Sequence, residues 1–323
     1  MEKNLTLQHL VRQAGLGKLA LKLLYQPMGQ LQTCWKEGGP WQQARTEEGR
    51  RAMEIAASKL PPPHFTADNP ITLHLLTGQR FWYQTLFCLY SFSQQSKRPL
   101  APVIYDDGTL SKTTFQEISR LFPMSRLVTQ VETMDKLETY LPQSSFPFLR
   151  DRWQNYPNIR KLIDIHLGQS GWKLVLDSDL LFFGRPDLIL SWIDNPTQPL
   201  HAIDVQESYG YSRQLMESLT GTSLSFRLNV GLCGLKSEEL DWEKIEHWTR
   251  VLIQKEKTNY YLEQALVAML LAGRLCVVAP EKEYVTLPRP PEATQCHAVM
   301  HHYVAESKRW YYQSNWNKAE TPL

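Results

Sequence analysis

The stretch Lys173-Leu174-Val175-Leu176-Asp177-Ser178-Asp179-Leu180-Leu181-Phe182-Phe183 constrains the fold more than any other part of the chain. A short apolar run entered from Gly171 fits a buried strand better than a helix. It ends in two carboxylates one residue apart, and a second apolar run follows at once. Burying a bare carboxylate is costly, so two acids at the end of an interior strand need partners. In open α/β sheets the C-terminal strand edge is where ligands bind. Two acids held there can coordinate a hard divalent cation and leave further positions to phosphate oxygens and water. The competing reading is a solvated loop with two incidental acids. Placement at a strand end favours the metal site.

Composition narrows the class. With 323 residues, 42% of them hydrophobic and 21% charged, the chain can bury a full core, as one large α/β domain with an appendage or as two small domains. A net charge of +2 provides no general attraction to nucleic acid. Five scattered cysteines without a C-x-x-C read as reduced, mostly buried thiols of a cytoplasmic protein. No signal peptide and no bilayer-length apolar run is expected. Ten tryptophans and fourteen tyrosines would suit a cleft that stacks on sugars or a base, but core packing is their first use.

Residues 1–65 read as an N-terminal helical extension and 66–323 as the main domain. Leu7, Leu10, Val11, Ala14, Leu16, Leu19, Ala20 and Leu23 recur at helical spacing, with Lys3, Arg12, Lys18 and Lys22 among them. Such a helix can lie on a membrane surface or pack on the domain; packing is the expectation, with any membrane contact peripheral. A second helical pattern runs through Ala52, Ile55, Ala56 and Leu60 and stops at Pro61-Pro62-Pro63. Beyond it, Ile71–Gly78 is a strand and turn, Gln79–Gln94 a buried helix, Pro102–Tyr105 a strand, Thr113–Leu121 a helix and Arg126–Val131 a third strand. That alternation predicts a Rossmann-like, mostly parallel sheet with helices on both faces. It brings Thr77-Gly78 and Asp106-Asp107 to the same edge as the two acids, where a carboxylate such as Asp107 commonly binds a ribose or base. Asp107-Gly108 is equally turn chemistry.

The helix predicted from Pro157 places Ile159, Leu162, Ile163 and His166 on one face, with Arg160, Lys161 and Asp164 elsewhere. His166 reads as a packed, hydrogen-bonded residue. Arg160 and Lys161 are either surface cations or donor contacts, because this helix feeds directly into the strand that ends at Asp177.

Lys161-Leu162, followed sixteen residues after the lysine by Leu176-Asp177-Ser178-Asp179, resembles the core of glycosyltransferase family 8, retaining enzymes of the GT-A fold. Three further pieces follow in family order. Leu228-Asn229-Val230-Gly231-Leu232 resembles the F-N-[SA]-G-[VL] strand, and Leu262-Glu263-Gln264 the D-Q segment opening a helix. His302-Tyr303-Val304-Ala305-Glu306-Ser307-Lys308-Arg309-Trp310 resembles the C-terminal H-x-x-G-x-x-K-P-W. Leu228 stands for Phe, Glu263 for Asp, Ala305 for Gly and Arg309 for Pro.

The resemblance implies a GT-A domain with an N-terminal helical extension and a metal-dependent glycosyltransferase using a nucleotide-sugar donor, a UDP-sugar first, with retention. It implies Asp177, Asp179 and His302 as metal ligands, adjacent His301 being the rival. One imidazole among them favours Mn²⁺ over Mg²⁺. Lys308 would hold the diphosphate as a point charge. Lys161, Asn229, Gly231 and Glu263 would contact the donor, with Ser178, Thr77, Asp107 and Arg160 counted beside them. Gln264 would lie nearest the anomeric carbon, its competing role being a helix-start residue bonded to its own backbone. The acceptor, whether glycan, lipid or protein, is left open, and no nucleic-acid partner is expected. The alternatives are a sugar-phosphate nucleotidyltransferase, which would want a glycine- and cation-rich first loop, and a non-catalytic sugar-nucleotide or glycan-binding module.

Overall fold

The computed structural model describes residues 38–320, so the expectations placed on Leu7, Leu10, Leu19 and their basic neighbours lie outside the described residues. In chain order the strands are β1 (His74–Thr77), β2 (Val103–Asp106), β3 (Arg126–Val128), β4 (Trp172–Leu176), β5 (Leu180–Phe182), β6 (Leu200–Ile203), β7 (Leu228–Lys236), β8 (Val277–Val278), β9 (Tyr284–Thr286) and β10 (Met300–His302). Seven of them form a sheet ordered β3-β2-β1-β4-β7-β6-β8. β1 runs parallel to β2 and β4, β2 to β3, and β6 to β8; β7 is antiparallel to both its neighbours. The mostly parallel α/β sheet expected from the chain is therefore present.

Strand alternation divides the core between the two faces of the sheet. Leu174 and Leu176 pack into an apolar cluster with the helix Trp82–Ser96, while Val175 between them joins Tyr105, Val128 and Ile165. The helices Pro157–His166, Trp242–Glu256 and Leu262–Leu270 share a third cluster with Leu228, Val230 and Leu235 of β7. The helix Pro157–His166 is covered on more sides than its apolar stripe predicted. Lys161 and Asp164 are buried along with Ile159, Leu162 and Ile163.

A second, three-stranded sheet, β5-β10-β9, starts where the first strand run turns at Ser178. Its register pairs His302 with Leu180, and the Tyr303 amide donates to the Asp179 carbonyl at 3.0 Å. The apolar run after Asp179 is thus the device that brings the C-terminal histidine to the acids.

Two boundaries differ from expectation. β3 ends at Val128 because Thr129 and Glu132 form a capping box that opens the helix Gln130–Tyr140. The N-terminal pattern becomes the helix Pro40–Ala57, whose inward face carries Met53 and Ala57, whereas Ile55 is 60% exposed. No described helix is long and apolar enough to cross a membrane.

Candidate active site

Asp177 and Asp179 flank the turn between β4 and β5, and the β5–β10 pairing sets His302 against them. His302 Nε2 lies 3.3 Å from Asp179 Oδ1 and 3.6 Å from Asp177 Oδ2. One ligand atom from each of the three residues falls within 4.8 Å of the others. The orientation of the imidazole is fixed behind it. Asn229 Oδ1 accepts the Gly231 amide at 2.9 Å, so the oxygen end of that amide faces His302 Nδ1, 3.2 Å away. Nδ1 then carries a proton in either charge state, and Nε2 is the nitrogen turned to the carboxylates, a donor when the ring is charged and a lone pair when it is neutral. Two carboxylate oxygens and one imidazole nitrogen arranged in this way fit a divalent ion. His301 has turned to the other side of β10, where it bonds Glu292 Oε1 at 2.7 Å and the Tyr303 hydroxyl at 2.9 Å.

Each acid also has an ammonium partner. Lys308 Nζ sits 3.1 Å from Asp179 Oδ2 and Lys161 Nζ 2.6 Å from Asp177 Oδ1. Burial opposes the charge on Asp179, yet Lys308 and His302 hold its carboxyl well below the usual range. Burial likewise opposes the imidazolium, but Asp179 and Asp177 outweigh it and raise His302. Lys161, buried at the sheet edge, is shared with Glu263 Oε1 at 3.4 Å. Burial would discharge Lys161, and the two carboxylates reverse that and raise it. Burial pushes Glu263 up to about 7, against the attraction of Lys161.

A second acidic centre was not anticipated from the sequence. Asp204 follows β6 as Asp177 follows β4, and it is buried. Its Oδ2 accepts from Asn229 Nδ2 at 3.3 Å and from Gln264 Nε2 at 3.2 Å. Gln264 Nε2 also reaches the Ser208 carbonyl at 3.1 Å. The amide nitrogen of Gln264 is therefore held by Asp204 and Ser208 rather than by its own backbone. The signal was in the chain: an acid directly after the apolar run Leu200-His201-Ala202-Ile203 repeats the pattern ending at Asp177.

The remaining sequence candidates surround the first two strand ends. Thr77 is buried, its hydroxyl accepting from Thr85 Oγ1 at 2.8 Å. The Asp107 carboxylate accepts from the Thr109 amide at 2.9 Å and hydroxyl at 2.5 Å, so it closes its own turn. The Asp107 carbonyl accepts from Arg160 at 2.6 Å, and the guanidinium lies 4.2 Å above the Trp153 ring. Arg160 is thereby fixed at the ends of β2 and the helix Pro157–His166. Ser178 is half-buried in the turn between the acids. A cavity of about 570 Å³ opens beside Lys308, with Arg80 and Phe81 on one wall and Glu47 and Arg50 of the helix Pro40–Ala57 on another.

No family model and no curated protein sequence matches the chain. Solved structures do resemble it. The WbbM bifunctional glycosyltransferase has a TM-score of 0.50 at 11% identity, over 79% of this chain and 51% of that one. Galactosyltransferase LgtC, in complex with donor and acceptor sugar analogues, has a TM-score of 0.49 at 12% identity, over 77% and 95%. Mouse xyloside xylosyltransferase 1 has 0.48 at 11%, over 72% and 97%. Identities this low are evidence of shared architecture alone. With its central, mostly parallel seven-stranded sheet, the chain has the GT-A fold.

Proposed function

We propose that the chain is a metal-dependent glycosyltransferase that takes a sugar from a nucleotide-sugar donor, a UDP-sugar first, and transfers it with retention. The observation that carries this reading is the convergence of Asp177, Asp179 and His302 on one point at the ligand-binding edge of a GT-A sheet. Membership in or beside family 8, and the division into residues 1–65 and 66–323, belong to the same proposal.

Asp177, Asp179 and His302 would hold Mn²⁺, the imidazole favouring it over Mg²⁺. The bound ion supplies charge neutralisation for the departing diphosphate. Lys308 adds a mobile ammonium to the same diphosphate. Lys161 engages Asp177 Oδ1, which keeps Oδ2 turned toward His302. Asn229 and Glu263 offer polar groups to sugar hydroxyls. Both N–H bonds of Gln264 point to Asp204 and Ser208, so its carbonyl oxygen is the end left for the anomeric carbon. An amide oxygen is a poor nucleophile but a good partner for oxocarbenium-like charge, which favours front-face attack over a covalent intermediate.

A nucleotidyltransferase would need an open, cationic first loop for a triphosphate. Here a Cβ on Gly78 would run into the Asp107 carboxylate, so an acid covers that turn.

Calorimetric titration with UDP tests the reading. Binding is expected with Mn²⁺ and is expected to weaken at least about tenfold with chelator, the loss of one charge-assisted contact or more. Asp179→Asn should erase that difference. Equal affinity with Mn²⁺ and chelator overturns the metal site. Nucleotide release from a panel of UDP-, GDP- and other NDP-sugars then identifies the donor.

A further inference from the structure

The segment that carries Lys308 is docked on the helix Pro40–Ala57, and we propose that this helix is a positioning element for Lys308, through a backbone contact at Gly49 and a side-chain clamp on Gln313. The inference rests on the reading of Lys308 as a diphosphate contact. Gly49 lies inside a helix without a positive φ, where glycine costs about 0.5–1 kcal/mol relative to alanine. Close approach of the tail accounts for it. A Cβ there would collide with the Tyr312 carbonyl oxygen and lie 2.7 Å from its carbon and 3.2 Å from Gln313 Cα. One residue on, Gln313 Nε2 is 2.9 Å from Thr46 Oγ1, 3.1 Å from Gln42 Oε1 and 3.3 Å from the Gln42 carbonyl.

The opposite side of the tail is tied to the domain. The Tyr312 hydroxyl accepts from Gln84 Nε2 at 2.8 Å, and Asn315 Nδ2 donates to the Ala293 carbonyl and the Tyr303 hydroxyl, both at 2.8 Å. Between these anchors the backbone winds as a single π-turn, Tyr311–Asn315, a rare geometry frequent at functional sites. Lys308 stands one turn before Tyr312, so its ammonium reaches Asp179 from a segment clamped between two elements. Releasing one clamp should let Lys308 drift from the acids without touching any ligand-binding atom.

The test measures UDP affinity in the presence of Mn²⁺ for the full chain carrying Gly49→Ala or Gln313→Ala, alone and combined with Lys308→Ala, with amide hydrogen exchange of residues 303–318. Gly49→Ala should weaken binding about 5- to 50-fold, part of what loss of a charge-assisted contact costs. In the Lys308→Ala background it should add less than about twofold, because a positioning residue has nothing left to position. Tail amides should exchange faster while β4 and β7 are unchanged. Equal losses with and without Lys308, or unchanged affinity, overturn the proposal. Gln313→Ala deletes only the clamp and should give the same non-additivity with a smaller loss, which decides the matter if Gly49→Ala does not fold. Wild-type protein that fails to bind UDP with Mn²⁺ overturns the glycosyltransferase reading instead. The exchange data then judge the docking alone, and unchanged tail protection in Gly49→Ala overturns it.

Discussion

Gly231 lies under the His302 ring, and its carbonyl accepts the Asp177 amide at 2.8 Å. A Cβ at this position would stand 2.6 Å from His302 Nδ1 and 2.9 Å from Asn229 Oδ1. Gly231→Ala should therefore push the imidazole off the acids. The expected result is about 1–3 kcal/mol lost in denaturant unfolding, as for other overpacked sites, together with loss of the Mn²⁺ dependence of UDP binding. A variant that keeps both would show that the histidine tolerates displacement. Ala305 makes a related point. It occupies the glycine position of the H-x-x-G-x-x-K pattern with φ 46°, the left-handed region in which a Cβ is strained. Asp177 and Asp179 were legible from the apolar run that they end, whereas His302 and Lys308 came into view only through the resemblance carried by the C-terminal H-x-x-G-x-x-K pattern. Asp204 escaped for lack of a second acid beside it.

The helix Pro157–His166 shows how far one-dimensional pattern reaches. Its apolar stripe was legible, but the burial of Lys161 and Asp164 was not, since that depends on what covers the other faces. Asp164 accepts from Trp153 Nε1 at 2.6 Å, and Trp153 in turn underlies Arg160. Burial pushes the Asp164 carboxyl up to about 7, with Trp153, Arg160 and Lys136 pulling the other way. The folded chain then holds a proton that the unfolded chain has released above about pH 4. Stability from this group is complete below about pH 4, falls as pH rises toward 7, and is level beyond. Asp164→Asn keeps the acceptor for Trp153 and should flatten that decline by roughly 1–4 kcal/mol, read from melting curves at pH 4 to 8. Parallel wild-type and variant profiles would show that Asp164 ionises in the folded state as it does unfolded. Capping by Thr129 and the orientation of the helix Pro40–Ala57 belong to the same class of feature. The capping residues are visible in the sequence, while the helix face that turns inward is chosen by the partner it meets.

At the scale of the whole molecule, two sheets meet at one residue. Strand β4 of the seven-stranded sheet ends just before Asp177, β5 of the three-stranded sheet starts just after Asp179, and a later segment of the chain comes back to that point with Lys308. Both acids are already neutralised by the protein, so Lys308 occupies charge that a cation would need. A divalent ion arriving alone must compete with an ammonium that has nowhere better to go. An ion arriving with a diphosphate offers that ammonium a new anion. Metal and nucleotide should therefore strengthen each other's binding, and by equal factors. Free Mn²⁺ should bind at least about tenfold more weakly than Mn²⁺ in the presence of UDP, a coupling within the usual 1–3 kcal/mol. Lys308→Ala should bind free Mn²⁺ more tightly and lose most of the coupling, as followed by the electron-spin resonance signal of unbound Mn²⁺. Mn²⁺ affinity indifferent to UDP would refute this. A site stoppered by its own lysine would favour the chelate over either component, so ambient metal alone would fill it far less readily than metal that arrives with its nucleotide.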